Sequence, residues 1–466
     1  MKRFFGMSLT LVILVGALVL LSAGFYWAAA GLGWGFNSLS IAFGWNAPGT
    51  VSTAAVSYGV AVGNVLTLMM VVLMISGSML TVAERKWSAL LQNRIGANRI
   101  TVGGNPLGGI PYLLADALKM LTKEAAAPDV RTKLLFELAP VLSFAPVFCL
   151  FAIVPVGPPV DLSAFFGAAA GVGKTVALQV ASLDAGLLYL FAIASLSVYG
   201  TSLAGWASNN KLALLGGVRA SSQMVSYEVS MGLSLVGAMM AYRTLRLEEM
   251  VVAQGAPVLG GFPALGLLLQ PIGFLIFFTS GFAETKRAPF DLPEGESEIV
   301  GYFIEYSGMK FGMMFLAEFL EIAVFAAIIT AIFLGGWHPI IFEATLRQNL
   351  TPFWFAAVGG GAFLAKMILL MWLQLVIRWL LPRFRYDQVQ KLCWKILLPS
   401  ALVNIFVTGA AILIDPTLTL LAWIGLLTLV IIGVLVAFTG RAPRADGHGH
   451  GHGAHGAHGA APAGGH

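Results

Sequence analysis

Six carboxylates crowd into a stretch of 22 residues: Glu284, Asp291, Glu294, Glu296, Glu298 and Glu305, in the run AETKRAPFDLPEGESEIVGYFIEY. Only Lys286 and Arg287 offset them. Like charges this close raise one another's pKa and titrate as a coupled group, so some of them would exchange protons near neutral pH. A solvated acidic loop would hold the same residues. The embedded aromatics, with Pro289 and Pro293, argue instead for a folded segment.

Three more carboxylates lie inside apolar runs. Glu228 stands in SYEVSMGLSL, six residues past Ser222, about 9 Å along a helix at 1.5 Å per residue. Glu318 and Glu321 are spaced i,i+3 and share one helix face. Lys366 reaches similar depth in the next apolar run. A charge at the centre of a membrane helix costs about 2.5–3.5 kcal/mol. Such groups usually face a wet interior and belong to an ion or proton path. The plainer reading is a structural ion pair of Lys366 with Glu318 or Glu321.

The elements that must position these groups follow from composition. Of 466 residues, 58% are hydrophobic and 11% charged, against roughly 25% charged in soluble domains. The mean hydropathy is +0.85. Eighty consecutive residues between Arg3 and Glu84 carry no Asp, Glu, Lys or Arg. A soluble enzyme, a disordered chain and a nucleic-acid binder are excluded, and the fold class is an all-α polytopic membrane protein. With about 20 apolar residues per crossing, the charge gaps predict ten spans, near 8–30, 62–82, 134–155, 184–207, 222–241, 263–283, 311–334, 353–381, 392–414 and 417–439.

Alternating the loops with Lys2 and Arg3 inside places nearly all of the 27 lysines and arginines inside; Lys174, Arg243, Arg246 and Arg347 fall outside and Lys366 within a span. The positive-inside rule thus predicts both termini in the cytoplasm. The first segment also reads as a signal peptide ending at Ala28-Ala29-Ala30, but its apolar run favours a retained helix. Residues 31–61, rich in Gly, Ser and Asn, read as an outer loop. A non-spanning helix fits 111–124, with Pro111 at its first position, and Leu114, Leu118 and Leu121 opposite Asp116, Lys119 and Lys123. It would lie along the membrane surface or cap a loop against neighbouring subunits. Residues 168–175, AAAGVGKT, imitate a phosphate loop, but without the strand–helix context such a loop requires. The tail from 441 to 466 is low-complexity Gly/His/Ala, a solvated tract with a metal-binding alternative.

Redox ligands are sparse. Cys149 and Cys393 are far apart and form no CxxC, and six of the seven histidines lie in the tail, leaving His338 alone in the body. Neither an iron–sulfur cluster nor a bis-histidine haem can be built from such a set. Any redox chemistry near this protein would be carried by something else.

Five runs carry a family resemblance: ERKWSALLQNRIGANR (84–99), ADALKMLTKE (115–124), AGWASNNKLALLGGVRASSQMVSYEV (204–229), AETKRAPFDLPEGESE (283–298) and PRFRYDQ (382–388). The chain resembles the H subunits of NADH-quinone oxidoreductase, which form the quinone chamber in the membrane part of respiratory complex I, from about residue 62 to 414. The resemblance divides the chain into an additional N-terminal helix and loop (1–61), an eight-helix core (62–414), an additional C-terminal helix (415–440) and the tail (441–466). Ala97 stands where the family usually has proline, and Ile110-Pro111 where it has Gln-Pro, both bordering the quinone entrance.

The resemblance implies quinone as substrate and no iron–sulfur cluster, haem or flavin on this chain. It implies cluster-bearing peripheral subunits and proton-pumping membrane subunits as partners, and the bacterial cytoplasmic (inner) membrane as location. It further implies that Arg85, Arg94, Asp116, Arg287, Asp291, Glu294, Glu296 and Glu298 line the quinone chamber or dock the peripheral arm. Glu228, Glu284, Glu305, Glu318 and Glu321 would form the proton path, with Asp116 also matching a carboxylate of that path. Three alternatives stand beside this reading: the membrane subunit of an energy-converting hydrogenase, a secondary cation/proton transporter, and a purely structural anchor. No inverted repeat supports the transporter. The full acidic loop with PRFRYDQ favours the quinone branch over the hydrogenase, and the cost of so many buried carboxylates disfavours the anchor.

Overall fold

The computed structural model describes residues 2–46, 53–101, 103–105, 107–161, 175–259, 262–295, 301–339 and 343–439. Among them, nine helices are long and apolar enough to cross a membrane. In chain order these are α1 (Lys2–Ala42), then α2 (Thr53–Asn64), which runs through a π-helical stretch (Val65–Leu73) into α3 (Met74–Leu91) as one crossing. After the short α4 (Pro111–Thr122) come α5 (Lys133–Ala152), α6 (Gly186–Ala207) and α7 (Lys211–Tyr242). The short α8 (Leu247–Gln254) and α9 (Gly266–Leu269) lead into α10 (Pro271–Glu284). Then follow α11 (Gly308–Phe333), short α12 (Glu343–Asn349), α13 (Pro352–Leu380), α14 (Tyr386–Leu392) joined through a π turn to α15 (Leu398–Ile414), and α16 (Thr419–Thr439). Two small antiparallel hairpins complete the described chain: β1 (Gly157–Asp161) with β2 (Thr175–Leu178), and β3 (Pro257–Leu259) with β4 (Phe262–Pro263).

The pattern of spans is the expected one, with three differences. Helix α1 continues to Ala42 and α2 begins at Thr53, so most of the expected 31–61 loop is helical. Its small polar residues are absorbed by the helix: Ser38 donates to the carbonyl of Trp34 and Ser40 to that of Asn37, while Leu32, Trp34, Phe36 and Leu39 keep the run apolar. Helix α7 begins at Lys211 rather than near 222, because Asn210 caps it by accepting the Leu212 amide and Arg219 is carried within the helix. The depth counted for Glu228 from Ser222 therefore has no helix start behind it. The sixth expected span is broken at Gln270, between the single turn of α9 and the 14-residue α10. Residues 168–174, Glu296, Glu298 and the 441–466 tail lie outside the described residues; Thr175 opens β2.

Helix α11 is the axis of the bundle. Every residue from Ala317 to Phe333 is buried; beyond Glu321 the helix is apolar on every side except at Thr330, as expected of one enclosed by others. It contacts α3, α5, α10 and α13. Close approach at the periphery uses small residues: a Cβ on Gly200 of α6 would stand 2.6 Å from the Ser143 amide nitrogen of α5. The outer helices expose large apolar side chains, among them Trp423, Leu427 and Val430 of α16, as a lipid-facing surface requires. Helix α4 has Pro111 at its start, and Leu114, Leu118 and Leu121 are all exposed, forming a stripe turned away from the rest of the chain.

Candidate functional site

The acidic segment folds back onto the helices instead of projecting into solvent. Gln223 of α7, fully buried, donates to the carbonyls of Ala283 and Phe290, stapling the start of the segment to that helix. Phe384 donates its amide to the Pro289 carbonyl, and Arg383 pairs with Asp291 at 3.2 Å. The 382–388 run thus lies directly against 289–295. At the far side, Gly308 opens α11 at φ +61, where an added Cβ would stand 2.9 Å from the Lys123 carbonyl. Only a glycine meets both demands without strain.

Within this frame the charges form one buried cluster. Lys286 and Arg287 are both buried. The Lys286 amine stands 3.8 Å from Glu321 and faces the Tyr302 ring at 5.8 Å. Arg287 reaches Glu84 at 3.4 Å and Glu318 at 3.6 Å, stacked on the Phe319 ring at 4.1 Å. Tyr302 donates to Glu318 at 3.0 Å. Glu284 is within electrostatic reach of Glu321, Glu228 and Lys286. Glu228, half-buried on α7, accepts from Ser195 of α6. One carboxylate oxygen each on Glu284, Glu294, Glu318 and Glu321 is buried without a hydrogen-bond donor in the described residues. These acids are only partly satisfied, an arrangement that is costly in a low-dielectric interior.

Outside the spans the electrostatics have clear causes. Burial pushes Asp291 up to about 6, against the pull of Arg383. Burial, then neighbouring Glu318, raises Glu294 well above the ordinary carboxylate range. Burial alone would lower Lys286 and Arg287; the carboxylates around them, led by Glu321 for the lysine and Glu318 for the arginine, hold both above their ordinary values. Burial, reinforced by Glu318, keeps Tyr302 a neutral donor.

Two hollows open beside the cluster. One, of about 450 Å³, is lined by Glu84, Arg85, Arg94, Ala97, Arg378 and Trp379. The other, of about 490 Å³, lies between 291–295 and 383–387 and is lined by Arg219, Asp291, Arg383 and Arg385 among others. Both are within the roughly 300–1,000 Å³ range typical of small-molecule sites.

The expected residues divide accordingly. Glu284, Arg287, Asp291, Glu294, Glu318 and Glu321 come together, with Glu228 adjoining. Arg85 and Arg94 line the first hollow; Arg85 pairs with Asp116 at 2.7 Å, and Arg94 donates to Gln92. Glu305 stands with Asn210, which donates to it at 2.7 Å while capping α7, so its partner is an amide rather than a charge. Lys366 pairs with neither Glu318 nor Glu321. Its amine donates to the carbonyls of Leu334, Gly336 and His338, at 2.8, 3.0 and 2.7 Å, capping the opposite end of α11, where the unspent carbonyls and negative dipole of a helix C-terminus attract a cation. Sequence reasoning missed Glu84, Arg378 and Tyr302. Glu84 carried a signal, as the first charge after the long uncharged run; the other two carried none.

Comparison with known proteins agrees with this architecture. Residues 64–409 match the family model described as NADH dehydrogenase. The chain is 41% identical over 352 residues, 75% of its length and 95% of the relative, to the NADH-quinone oxidoreductase H subunit 1 of Cytophaga hutchinsonii. It is 43% identical over 346 residues, 74% of its length and 94% of the relative, to the protein of the same name from Geobacter metallireducens. The corresponding H subunit of Flavobacterium psychrophilum is 40% identical over 335 residues, 72% of this chain and 92% of the relative. A multi-pass helical membrane protein so matched belongs to the NADH dehydrogenase family, among the H subunits of NADH-quinone oxidoreductase. The quinone-oxidoreductase branch is thereby favoured over the hydrogenase and transporter alternatives. Helix α1 and helix α16 lie outside the matched residues.

Proposed function

We propose that this chain is the membrane subunit of a proton-pumping NADH:quinone oxidoreductase, lying in the bacterial cytoplasmic membrane with both termini inside. It would contribute one wall of the quinone chamber, and its buried acids would pass the electrostatic consequence of quinone reduction to proton-pumping subunits. Electrons would arrive through clusters held by peripheral subunits, with none bound here. The observation that carries this reading is the continuity of the charges. The hollow bearing Arg85, Arg94 and Glu84 is joined through Arg287 to Glu318 and Tyr302. Beside these, Lys286 links Glu321 to Glu284, and Glu284 reaches toward Glu228.

In this reading quinone occupies the hollow, with Arg85, Arg94, Asp116 and Arg287 and the 291–298 segment around its headgroup or against the peripheral arm. Glu284, Glu318, Glu321 and Glu228 form the path, while Glu305 supports it from the cap of α7. Moving a charge against 100 mV costs about 2.3 kcal/mol, so attraction alone is insufficient and the acids must change protonation. The test is Glu228→Gln in the intact complex. Assembly is expected to survive, with quinone reduction and pumping lowered together. An assembled variant with normal activity and normal pumping would remove Glu228 from the path.

A further inference from the structure

Arg287 is shared between two carboxylates and closes fully on neither. Its contacts with Glu84 at 3.4 Å and Glu318 at 3.6 Å exceed the roughly 2.7–2.9 Å of a closed charge-assisted hydrogen bond. Its Nε and Nη2 are buried with no acceptor in the described residues. A cation with unspent donors between two carboxylates can tighten onto one only by withdrawing from the other. The two carboxylates also differ in setting. Glu318 is buried, whereas Glu84 lines the 450 Å³ hollow and is held from its other side by Arg378, itself a lining residue.

We propose that Glu84 is a positioning residue which, under the control of Arg378, sets how far Arg287 neutralises Glu318. The inference rests on reading the hollow as the quinone-facing one. While the hollow holds no anion, Arg378 satisfies Glu84 and Arg287 stays shared. An anionic group in the hollow draws Arg378 away, Glu84 draws Arg287 in its place, and Glu318 loses its counter-charge. Glu318 is then faced by the Tyr302 hydroxyl, by Asp291 and Glu294 of the acidic segment, by Lys286, and by Glu321 of its own helix. Lys286 is the one cation left in that set, and a proton entering through the hollow from bulk solvent, its conjugate base remaining in the solvent, offsets the excess negative charge. No electron passes through these residues.

The experiment uses the intact complex in liposomes, with NADH and a short-chain ubiquinone analogue, and reads protons moved per NADH oxidised. Glu84→Gln releases Arg287 permanently to Glu318, so the ratio should collapse while residual NADH oxidation continues. Glu84→Asp keeps the charge and should preserve the ratio. Arg378→Gln hands Arg287 permanently to Glu84 and should lower the ratio as well, which serves as the readout should Glu84→Gln not assemble. A merely structural ion pair would reduce the yield of complex and leave the ratio of the surviving molecules at the parental value. That outcome, or Glu84→Asp failing as badly as Glu84→Gln, overturns the proposal. A parent complex unable to reduce the quinone analogue at all would instead overturn the reading of the hollow, and this inference with it.

Discussion

Lys366 offers a quantitative contrast between two arrangements of the same charges. Its amine is spent on three carbonyls between Leu334 and His338. Glu321 lies 13 residues before Leu334 on the same helix, about 20 Å away at 1.5 Å per residue. Two unit charges at that distance interact by about 0.8 kcal/mol at an effective dielectric of 20, against about 4 kcal/mol at 4 Å. Lys366→Met removes three hydrogen bonds from a charged donor, each worth about 1.5–3 kcal/mol and not strictly additive, so a loss of about 3 kcal/mol or more is expected. The assay is a double-mutant cycle with Glu321→Gln, read as thermal midpoints of the purified complex. The two effects should add, with coupling below about 1 kcal/mol, since the sites share no partner. If Glu321→Gln instead rescued Lys366→Met, the amine would be paired with the carboxylate after all, and the separation of the two ends of α11 would be refuted.

Two further outcomes follow from the same geometry. Asp291 titrates near 6 because it is buried, so its preference for the proton supports the folded state fully at pH below the ordinary carboxylate range and is lost as pH rises through about 6. Asp291→Asn, neutral throughout, should therefore gain thermal stability relative to the parent between pH 5 and pH 7.5; an equal difference at both values would refute the burial argument. Gly200→Ala places a methyl 2.6 Å from the Ser143 amide nitrogen and should destabilise the α5–α6 contact by about 1–3 kcal/mol. A thermal midpoint identical to that of the parent would show that the helices separate at no cost.

What the sequence made legible were the features set by solvent. Charges cannot sit freely in lipid, so gaps between them marked the spans α5, α6, α11, α13, α15 and α16 closely. The same reasoning failed where charge was a poor guide to helix ends. It stopped the first helix at 30 although Ser38 and Ser40 bond within the helix, and it began α7 at 222 although Lys211 and Arg219 lie within it. Spacing along one helix was legible too: Glu318 and Glu321 do share a buried environment. Pairing between helices was not. Lys366 and the two acids are complementary in charge, but which residues meet depends on the relative height of α11 and α13, and no periodicity encodes that. Glu84 and Arg378 are joined across almost three hundred positions, and each looked like an ordinary boundary charge.

The distribution of polar groups along α11 bears on where protons could go. From Ile322 to Phe333 every side chain is buried and only Thr330 is polar, its hydroxyl spent on the Ala326 carbonyl. A charge moving along this helix would cross about 18 Å without a partner, at a cost that no single hydroxyl offsets. At the far end stand Lys366, His338 and Glu343, with His338 and Glu343 paired at 2.8 Å, but nothing on α11 connects them to Glu321. The lateral direction is different. Glu284 lies within reach of Glu228, and Glu228 stands between Val225 and Val229, both exposed on the side of α7. If these acids carry protons, the arrangement therefore favours passage sideways, out of this chain at the α6–α7 face, over passage through its core. It gives a physical reason why the proposed coupling needs a neighbouring subunit at that face, and why Glu228→Gln is the substitution that tests it.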